Sequence, residues 1–304
     1  MSNLTVSLSP HVRAQSSTRR IMLDVLIALI PAVVFAVYWF GFSVLVTILL
    51  SMAAAIGSEA LMQKALRRPI TVDDGSAAVT GLLLALTLPA GVPWYVPILG
   101  AVFAIVIAKQ VFGGLGDNFV NPALAGRAFL LASFPVAMTT FPAVADAVSS
   151  ATPLSSEFAG TVDYAQAFLG RIGGSIGEVS KLALLAGAAY LLVRRVIDWR
   201  VPVSYLGILA VLNLAFGEPV LDSVLLGGTV LGAFFMATDY VTSPVPAWGK
   251  VLYGIGIGAI NFAIRQWGAY PEGVTYAILL MNIASPLLER ATRPRKYGEV
   301  KRRA

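Results

Sequence analysis

The 304-residue chain contains no cysteine and a single histidine, His11. Iron–sulfur clusters need thiolates and haem usually needs an axial histidine or thiolate, so neither centre has an evident anchor here. Zinc sites are disfavoured on the same ground, and an electron carrier on this polypeptide should be organic. Charge is scarce as well: only 12% of the residues are charged against 57% hydrophobic, where soluble domains average about 25% charged. With a mean hydropathy of +0.79, this composition is that of an integral membrane protein. The net charge of +6 and isoelectric point near 9.6 do not mark a nucleic-acid binder, because the basic residues are scattered among loops and tail without a compact basic domain. Met1 to Arg20 is polar and the first apolar run is long enough to remain as a span, so no cleavable signal peptide is expected.

Apolar runs near 20 residues, with shorter ones allowed where Gly and Pro interrupt, fall at about 21–40, 43–62, 76–88, 94–112, 121–138, 180–196, 201–217, 223–238, 249–266 and 274–289. Five precede a central polar stretch and five follow it. The expected organisation is a cytoplasmic N-terminal segment over 1–20, a first five-helix unit over 21–138, an outer loop over 139–179, a second five-helix unit over 180–289 and a basic cytoplasmic tail over 290–304. The fold class is therefore an all-α membrane protein of about ten transmembrane helices.

Short basic loops stay in the cytoplasm. With the N-terminus inside, all of the 22 Lys and Arg except Arg127, Arg171, Lys181 and Arg265 lie on the inner side. The central loop is then outside, where Asp146, Glu157, Asp163 and Glu178 outweigh Arg171. The tail from Arg290 onward is suited to lipid headgroups or a partner subunit, and His11 is expected to be a solvated cytoplasmic residue.

Five spans per half make the second half enter the membrane from the opposite face, so internal homology would form an inverted repeat. At a shift of 151 residues Gly81, Thr87 and Pro93 fall on Gly232, Thr238 and Pro244. Each trio runs through a short apolar segment into a Pro-rich turn. Such broken segments at matching positions point to a site near the midplane, while close packing of helices rich in small residues explains them as simply. Inverted repeats also suit a small-solute channel or secondary transporter, and a fold alone cannot choose.

The central stretch contains Asp146-Ala147-Val148-Ser149-Ser150-Ala151-Thr152-Pro153. Runs of this kind are usually turn formers. Alternatively, a threonine hydroxyl among small neighbours, with a carboxylate six residues upstream, is a place a modifying enzyme can esterify.

Together with Ser9-Pro10-His11, Ile21 to Val25, Asp73 to Gly81, Phe112 to Asn118, Asn121-Pro122-Ala123-Leu124-Ala125-Gly126-Arg127 and Gly174 to Glu178, the chain resembles the NqrB/RnfD family along nearly its whole length. In length it looks more like the D subunit of Rnf electron transport complexes than the B subunit of the sodium-pumping quinone reductase. The family's flavinylation signature is Asp-x-x-(Ser/Thr)-Gly-Ala-Thr. Asp146, Ser149, Ala151 and Thr152 fit it, and Ser150 stands where glycine is usual. The resemblance implies FMN joined to Thr152 through a phosphoester by a flavin transferase on the outer face of a bacterial cytoplasmic membrane. It further implies electron flow between ferredoxin and NAD coupled to Na+ or H+ movement, with partner subunits holding the iron–sulfur centres and a second flavin. The chain is not expected to catalyse alone. A permease would have no need of the translocated Asp-x-x-Ser-Ser-Ala-Thr run.

Gly113, Gly114, Asn118, Asn121 and Arg127 form either a pocket for a second, noncovalent flavin, riboflavin by resemblance, or a tight loop in which Asn121-Pro122 supplies the Ncap and N1 residues of a helix. Asp24 and Arg127 are ionisable groups at membrane depth, where charge tends to mark a cavity or an ion path. More plainly, Arg127 snorkels and Asp24 pairs with Arg19 or Arg20. Asp239, beside Thr238 at the end of the short eighth run, is the better ion-site candidate, because broken helices expose carbonyls that can coordinate a cation.

Overall fold

The computed structural model describes residues 17–142, 149–150, 164–170, 174–178, 180–268 and 273–294. Helices lie over each of the ten apolar runs. The first half contains α1 (Thr18–Phe40), α2 (Ser43–Ala65), α3 (Ser76–Leu86), α4 (Tyr95–Ile105, prolonged by a π-helical turn over Val106–Gln110), α5 (Pro122–Ser133) and α6 (Pro135–Thr139). Two-residue strands β1 (Phe141–Pro142) and β2 (Ser149–Ser150) pair antiparallel, and α7 (Tyr164–Leu169) follows. The second half contains α8 (Lys181–Val193), α9 (Arg200–Phe216), α10 (Val220–Leu225), α11 (Thr229–Leu231, prolonged by a π-helical turn over Gly232–Met236), α12 (Ala247–Trp267) and α13 (Val274–Thr292). Helices α1, α2 and α12 are each long and apolar enough to cross a membrane, and α3, α4, α8 and α9 are shorter apolar helices. The chain is a helical membrane protein.

Local chemistry sets the ends. Ser17 caps α1 by accepting the Arg20 N–H, and Gly41, at φ 81°, ends it. Asn121 accepts the N–H groups of Ala123 and Leu124, and Pro122 occupies the first helical position of α5, so the capping reading of this loop is what the backbone uses. Two runs expected to be continuous are broken. The fifth stops at Phe134 (φ −132°, ψ 56°), because the residue before a proline is forced out of helical geometry. The eighth breaks between α10 and α11, where Gly227 takes a positive φ of 67°.

Helix α1 turns most of its large apolar side chains outward and its alanines inward. On α1, Leu23, Ile27, Ile30, Val34 and Tyr38 form one exposed stripe, while Ala28, Ala32 and Ala36 are buried on the other face. In water such a stripe would be a liability. In lipid it is the natural outer surface, and small inward residues let backbones approach closely. Gly187 of α8 shows how close: a Cβ there would run into the Ala28 carbonyl oxygen of α1 and the Phe235 ring. Gly187→Val should therefore lower stability by about 1–3 kcal/mol, whereas Gly207→Ala on α9, with nothing within 4 Å of the added carbon, should not. Unfolding midpoints of the detergent-solubilised proteins compare the two, and equal midpoints would refute the tight α1–α8 contact.

Helix α3 is the centre of the first half, with Val79 through Leu86 all buried. At 11 residues it is too short to cross a ~30 Å hydrocarbon core. Its C-terminal end is completed by the segment 174–178, whose Gly177 and Ile176 N–H groups donate to the carbonyls of Leu86 (2.7 Å) and Leu88 (2.8 Å). Irregular backbone at such depth is tolerated only where protein satisfies it. The contacts of the halves also correspond. Helix α2 packs on α4 as α9 packs on α12, α4 on α5 as α12 on α13, and α3 touches α1, α2 and α5 where α11 with its π turn touches α8, α9 and α13.

Candidate functional site

Four polar arrangements interrupt the apolar interior. The first precedes the candidate flavin anchor. Asp146, Ala151 and Thr152 lie outside the described residues, but the backbone of Ser149 pairs with Pro142 and that of Ser150 with Phe141. Since β1 follows α6 directly, the chain enters its modification motif from a fixed point at the end of the α5–α6 arm.

The second is a set of three cations, Arg127 and Lys181 buried beside Glu178 and Arg265 half-buried at the break between α10 and α11. Arg127, 5% exposed, does not snorkel. Its guanidinium faces Glu178 at 3.7 Å, so the residue belongs with the returning loop and not with the glycine loop that precedes α5. Lys181 Nζ donates to the carbonyls of Glu178 (2.5 Å) and Gly227 (3.0 Å). Arg265 donates to the carbonyls of Ser223 (2.7 Å) and Leu226 (3.2 Å) and to Thr229 Oγ1 (2.9 Å), holding the break between α10 and α11 in place. These contacts give three of the four basic residues not counted on the inner side structural partners inside the protein.

The third was not among the sites expected from the sequence. Glu59 of α2 and Lys109 of the α4 π turn are 1% and 2% exposed and lie 2.8 Å apart. Gln110 Nε2 donates to the same carboxylate at 2.8 Å, and Lys109 Nζ donates to Ser76 Oγ at 2.6 Å. Ser76 Oγ in turn donates to Asp74 Oδ1 at 2.6 Å. A hydrogen-bonded chain thus runs from Glu59 through Lys109 and Ser76 to Asp74. The π turn matters because it buries Ala108, Lys109 and Gln110 in succession, which an ordinary helix, turning 100° per residue, would not. Counting Lys109 as an inner-side loop cation concealed this pair; charge that falls inside an apolar run was the signal available.

The fourth is a central cavity of about 90 Å³ between the halves. Its lining includes Ser76, Lys109, Asn118, Asn121, Thr238 and Asp239. Asp239 Oδ2 accepts the Thr242 hydroxyl at 3.1 Å. The carbonyls freed by the second π turn are partly taken, since Thr238 Oγ1 donates to Phe234 O (2.7 Å) and Asn121 Nδ2 to Met236 O (3.3 Å). Asn118 Nδ2 donates to Val120 O. Gly113 accepts from Arg68 through its carbonyl, and a Cβ on Gly113 would strike Asp117, while Gly114 lies beside Gln110. The five residues considered for a second flavin are thus distributed: Asn118 and Asn121 line the cavity, Gly113 and Gly114 shape the loop, and Arg127 meets Glu178. A volume of about 90 Å³ is well below the ~300–1,000 Å³ of organic ligand pockets and accommodates a few waters or a partly hydrated ion.

Asp24 joins the halves. Its carboxylate accepts from Arg194 Nη2 at 3.1 and 3.2 Å and from the Tyr190 hydroxyl at 2.9 Å, both on or just beyond α8. The expected pairing with Arg19 or Arg20 is corrected: the partner lies 170 residues away, brought close by the α1–α8 contact.

A sequence profile of the NQR2, RnfD, RnfE family matches residues 5–298 of this chain. The D subunit of the Na(+)-translocating ferredoxin:NAD(+) oxidoreductase complex of Acetobacterium woodii is 50% identical over 308 residues, covering 98% of this chain and 96% of that protein. The D subunit of the proton-translocating ferredoxin:NAD(+) oxidoreductase complex of Clostridium ljungdahlii is 44% identical over 318 residues, covering 97% and 96%. The D subunit of the ion-translocating oxidoreductase complex of Marinobacter nauticus is 40% identical over 334 residues, covering 97% and 95%.

Proposed function

For this chain, which belongs to the NQR2, RnfD, RnfE family, we propose the role of membrane D subunit in an ion-translocating ferredoxin:NAD oxidoreductase complex of a bacterial cytoplasmic membrane. The observation that carries this reading is its similarity, over almost its entire length, to the D subunits of such complexes. Its two halves are read as inverted five-helix repeats, supported by the recurring helix pairings and by the placement of Gly81 in α3 and Gly232 in the second π turn. The N- and C-termini face the cytoplasm in this reading, and the modification loop lies outside. Other subunits would supply the iron–sulfur and further flavin centres that a chain without cysteine does not anchor.

Thr152 is the proposed attachment point of FMN, a carrier that takes electrons singly or in pairs. The donor set fits: a hydroxyl nucleophile for the phosphoester, small neighbours at Ser150 and Ala151 for access, and Asp146 upstream. The chain's own part is to hold the start of the motif through the β1–β2 pairing and to keep the tether near its partners, which raises effective concentration. A second, noncovalent flavin rests on family resemblance alone, and the central cavity as it stands would have to widen to admit one.

Asp239 and Thr238 are the proposed ion-path residues of the central cavity, with Asp24 bracing the α1–α8 junction beside it. Asp239→Asn should lower ion movement several-fold while flavin attachment persists; unchanged transport would remove Asp239 from the path. The broader test uses inverted membrane vesicles. Vesicles lacking this chain should lose both ferredoxin-dependent NAD reduction and the coupled ion uptake, and restoring the chain should recover both. Retention of the coupled reaction without it would overturn the assignment.

A further inference from the structure

A second cavity, about 520 Å³, opens where α8 ends, α9 begins and α12 begins, on the face assigned to the cytoplasm. It is lined by Arg195, Arg200 and Lys250 against a single carboxylate, Asp198, with Trp199 and Leu192 beside them. Asp198 is already engaged: it accepts from Lys250 Nζ at 2.9 Å and from Arg200 Nη1 at 3.1 Å. Burial would raise its carboxyl, but the hydrogen bonds from Lys250 and from the Arg200 backbone and side chain outweigh that and hold it below the usual carboxylate range. The Arg200 guanidinium also lies 5.4 Å from the Trp199 ring centre, in a cation–π arrangement. Arg195 differs from these. It is exposed, sits at a positive φ of 55°, and its side chain has no partner among the described residues. A left-handed backbone is uncommon for such a residue, so the turn presents a guanidinium to a pocket with surplus positive charge.

The surroundings indicate what the pocket takes. Leu192, Val196, Ile197, Trp199 and Val201 line it; Val193, Val203, Val245 and Trp248 lie within two residues of lining positions along the chain and are strongly exposed, as is Trp199. Cations over a cavity, bordered by outward-facing aliphatic groups and interfacial tryptophans, match a molecule with an anionic head and hydrocarbon tails. A free anion would leave the apolar border unused, and a zwitterionic head would leave the charge surplus unmet.

We propose that this pocket binds the phosphate headgroup of an anionic phospholipid, with Arg195 as its main ligand and Arg200 and Lys250 alongside, while the acyl chains lie along Val193, Val203 and Trp248.

Native mass spectrometry of the full-length protein in detergent tests this with three probes: dioleoyl phosphatidylglycerol, dioleoyl phosphatidylcholine and inorganic phosphate. Phosphatidylglycerol should be retained and the other two should not. Arg195→Asn suits the left-handed backbone and so should fold; it should weaken phosphatidylglycerol binding roughly five-fold, and the Arg195→Asn, Lys250→Gln double variant roughly 30-fold, the loss expected for about one and two interfacial charges. Arg195→Lys should retain most of the binding. Equal retention of phosphatidylcholine would reduce the site to apolar adhesion, and phosphate binding of similar strength would make it a free-anion site. Unchanged phosphatidylglycerol binding in the double variant would place the lipid elsewhere, and release of another subunit from Arg195→Asn complexes with lipid binding intact would assign the pocket to a protein contact. Each of these outcomes overturns the proposal.

Discussion

Thr152→Ala should abolish covalent flavin on this chain. Mass spectrometry of the tryptic peptide containing Thr152, from protein produced together with its flavin transferase, should show an added FMN mass in the wild type and none in the variant. In-gel flavin fluorescence under denaturing conditions should be lost in parallel. The effect is all-or-none because the phosphoester needs a side-chain oxygen at that position and alanine has none. The neighbouring serines provide an internal control. If attachment required only a hydroxyl in an exposed loop, Ser149 or Ser150 would take over in Thr152→Ala, and fluorescence would remain. Ser150→Gly, which restores the residue usual in the family signature, should leave attachment intact or raise its yield. Asp146→Ala should lower the yield without moving the site. Wild-type protein bearing an unmodified Thr152 in the mature complex would end the proposed electron-carrying role of this loop.

Removing one partner of the Glu59–Lys109 pair should be the most damaging interior substitution. Both groups are almost fully buried, and breaking such a pair costs about 3–5 kcal/mol because the remaining charge stays buried without its directly paired counter-charge. That is roughly two to four orders of magnitude in the folded population. In Glu59→Ala the Lys109 ammonium would keep the neutral Ser76 hydroxyl as its hydrogen-bond partner, with Asp239 in the lining of the same cavity, and Gln110 would lose its acceptor as well. Replacing both charges, as in Glu59→Gln with Lys109→Met, should recover most of the stability, since neutral groups of similar volume need no counter-ion. Unfolding midpoints of the two single variants and the double variant form the test. A Glu59→Ala protein as stable as the parent would mean that water or a relaxed side chain reaches Lys109. If the double variant regains stability but not ion transport, the chain from Glu59 to Asp74 has a role beyond holding helices together.

How much of this was legible can be judged residue by residue. The Asn121-Pro122 start of α5 is readable because a cap acts within three residues of itself. The ten apolar runs are readable because length and hydropathy are local quantities, although hydropathy does not register the breaks at Phe134 and before Thr229, which Pro135 and Gly227 mark. In sequence Arg127 reads as a residue near a membrane surface, whereas the 174–178 segment folds back and brings Glu178 to it. Asp24 has basic neighbours in sequence, but its partner comes from the end of α8. Pairings between groups 50 to 170 residues apart leave no imprint in a window of the size that periodicity can sample.

The amino-acid sequence by itself determined the solvent of this protein and the absence of thiolate ligands from it. Hydrocarbon selects for apolar runs wherever they occur, and a chain without cysteine has no thiolate to anchor an iron–sulfur cluster whatever its shape. Only the tertiary structure decided where the few interior charges go. A buried ion is tolerable only next to a counter-charge, and that neighbour is chosen by how closely glycine-lined helices approach, how a π turn rotates Lys109 inward and where a loop re-enters to finish α3. Those are properties of packed backbones in three dimensions, set by contacts among helices far apart in the chain.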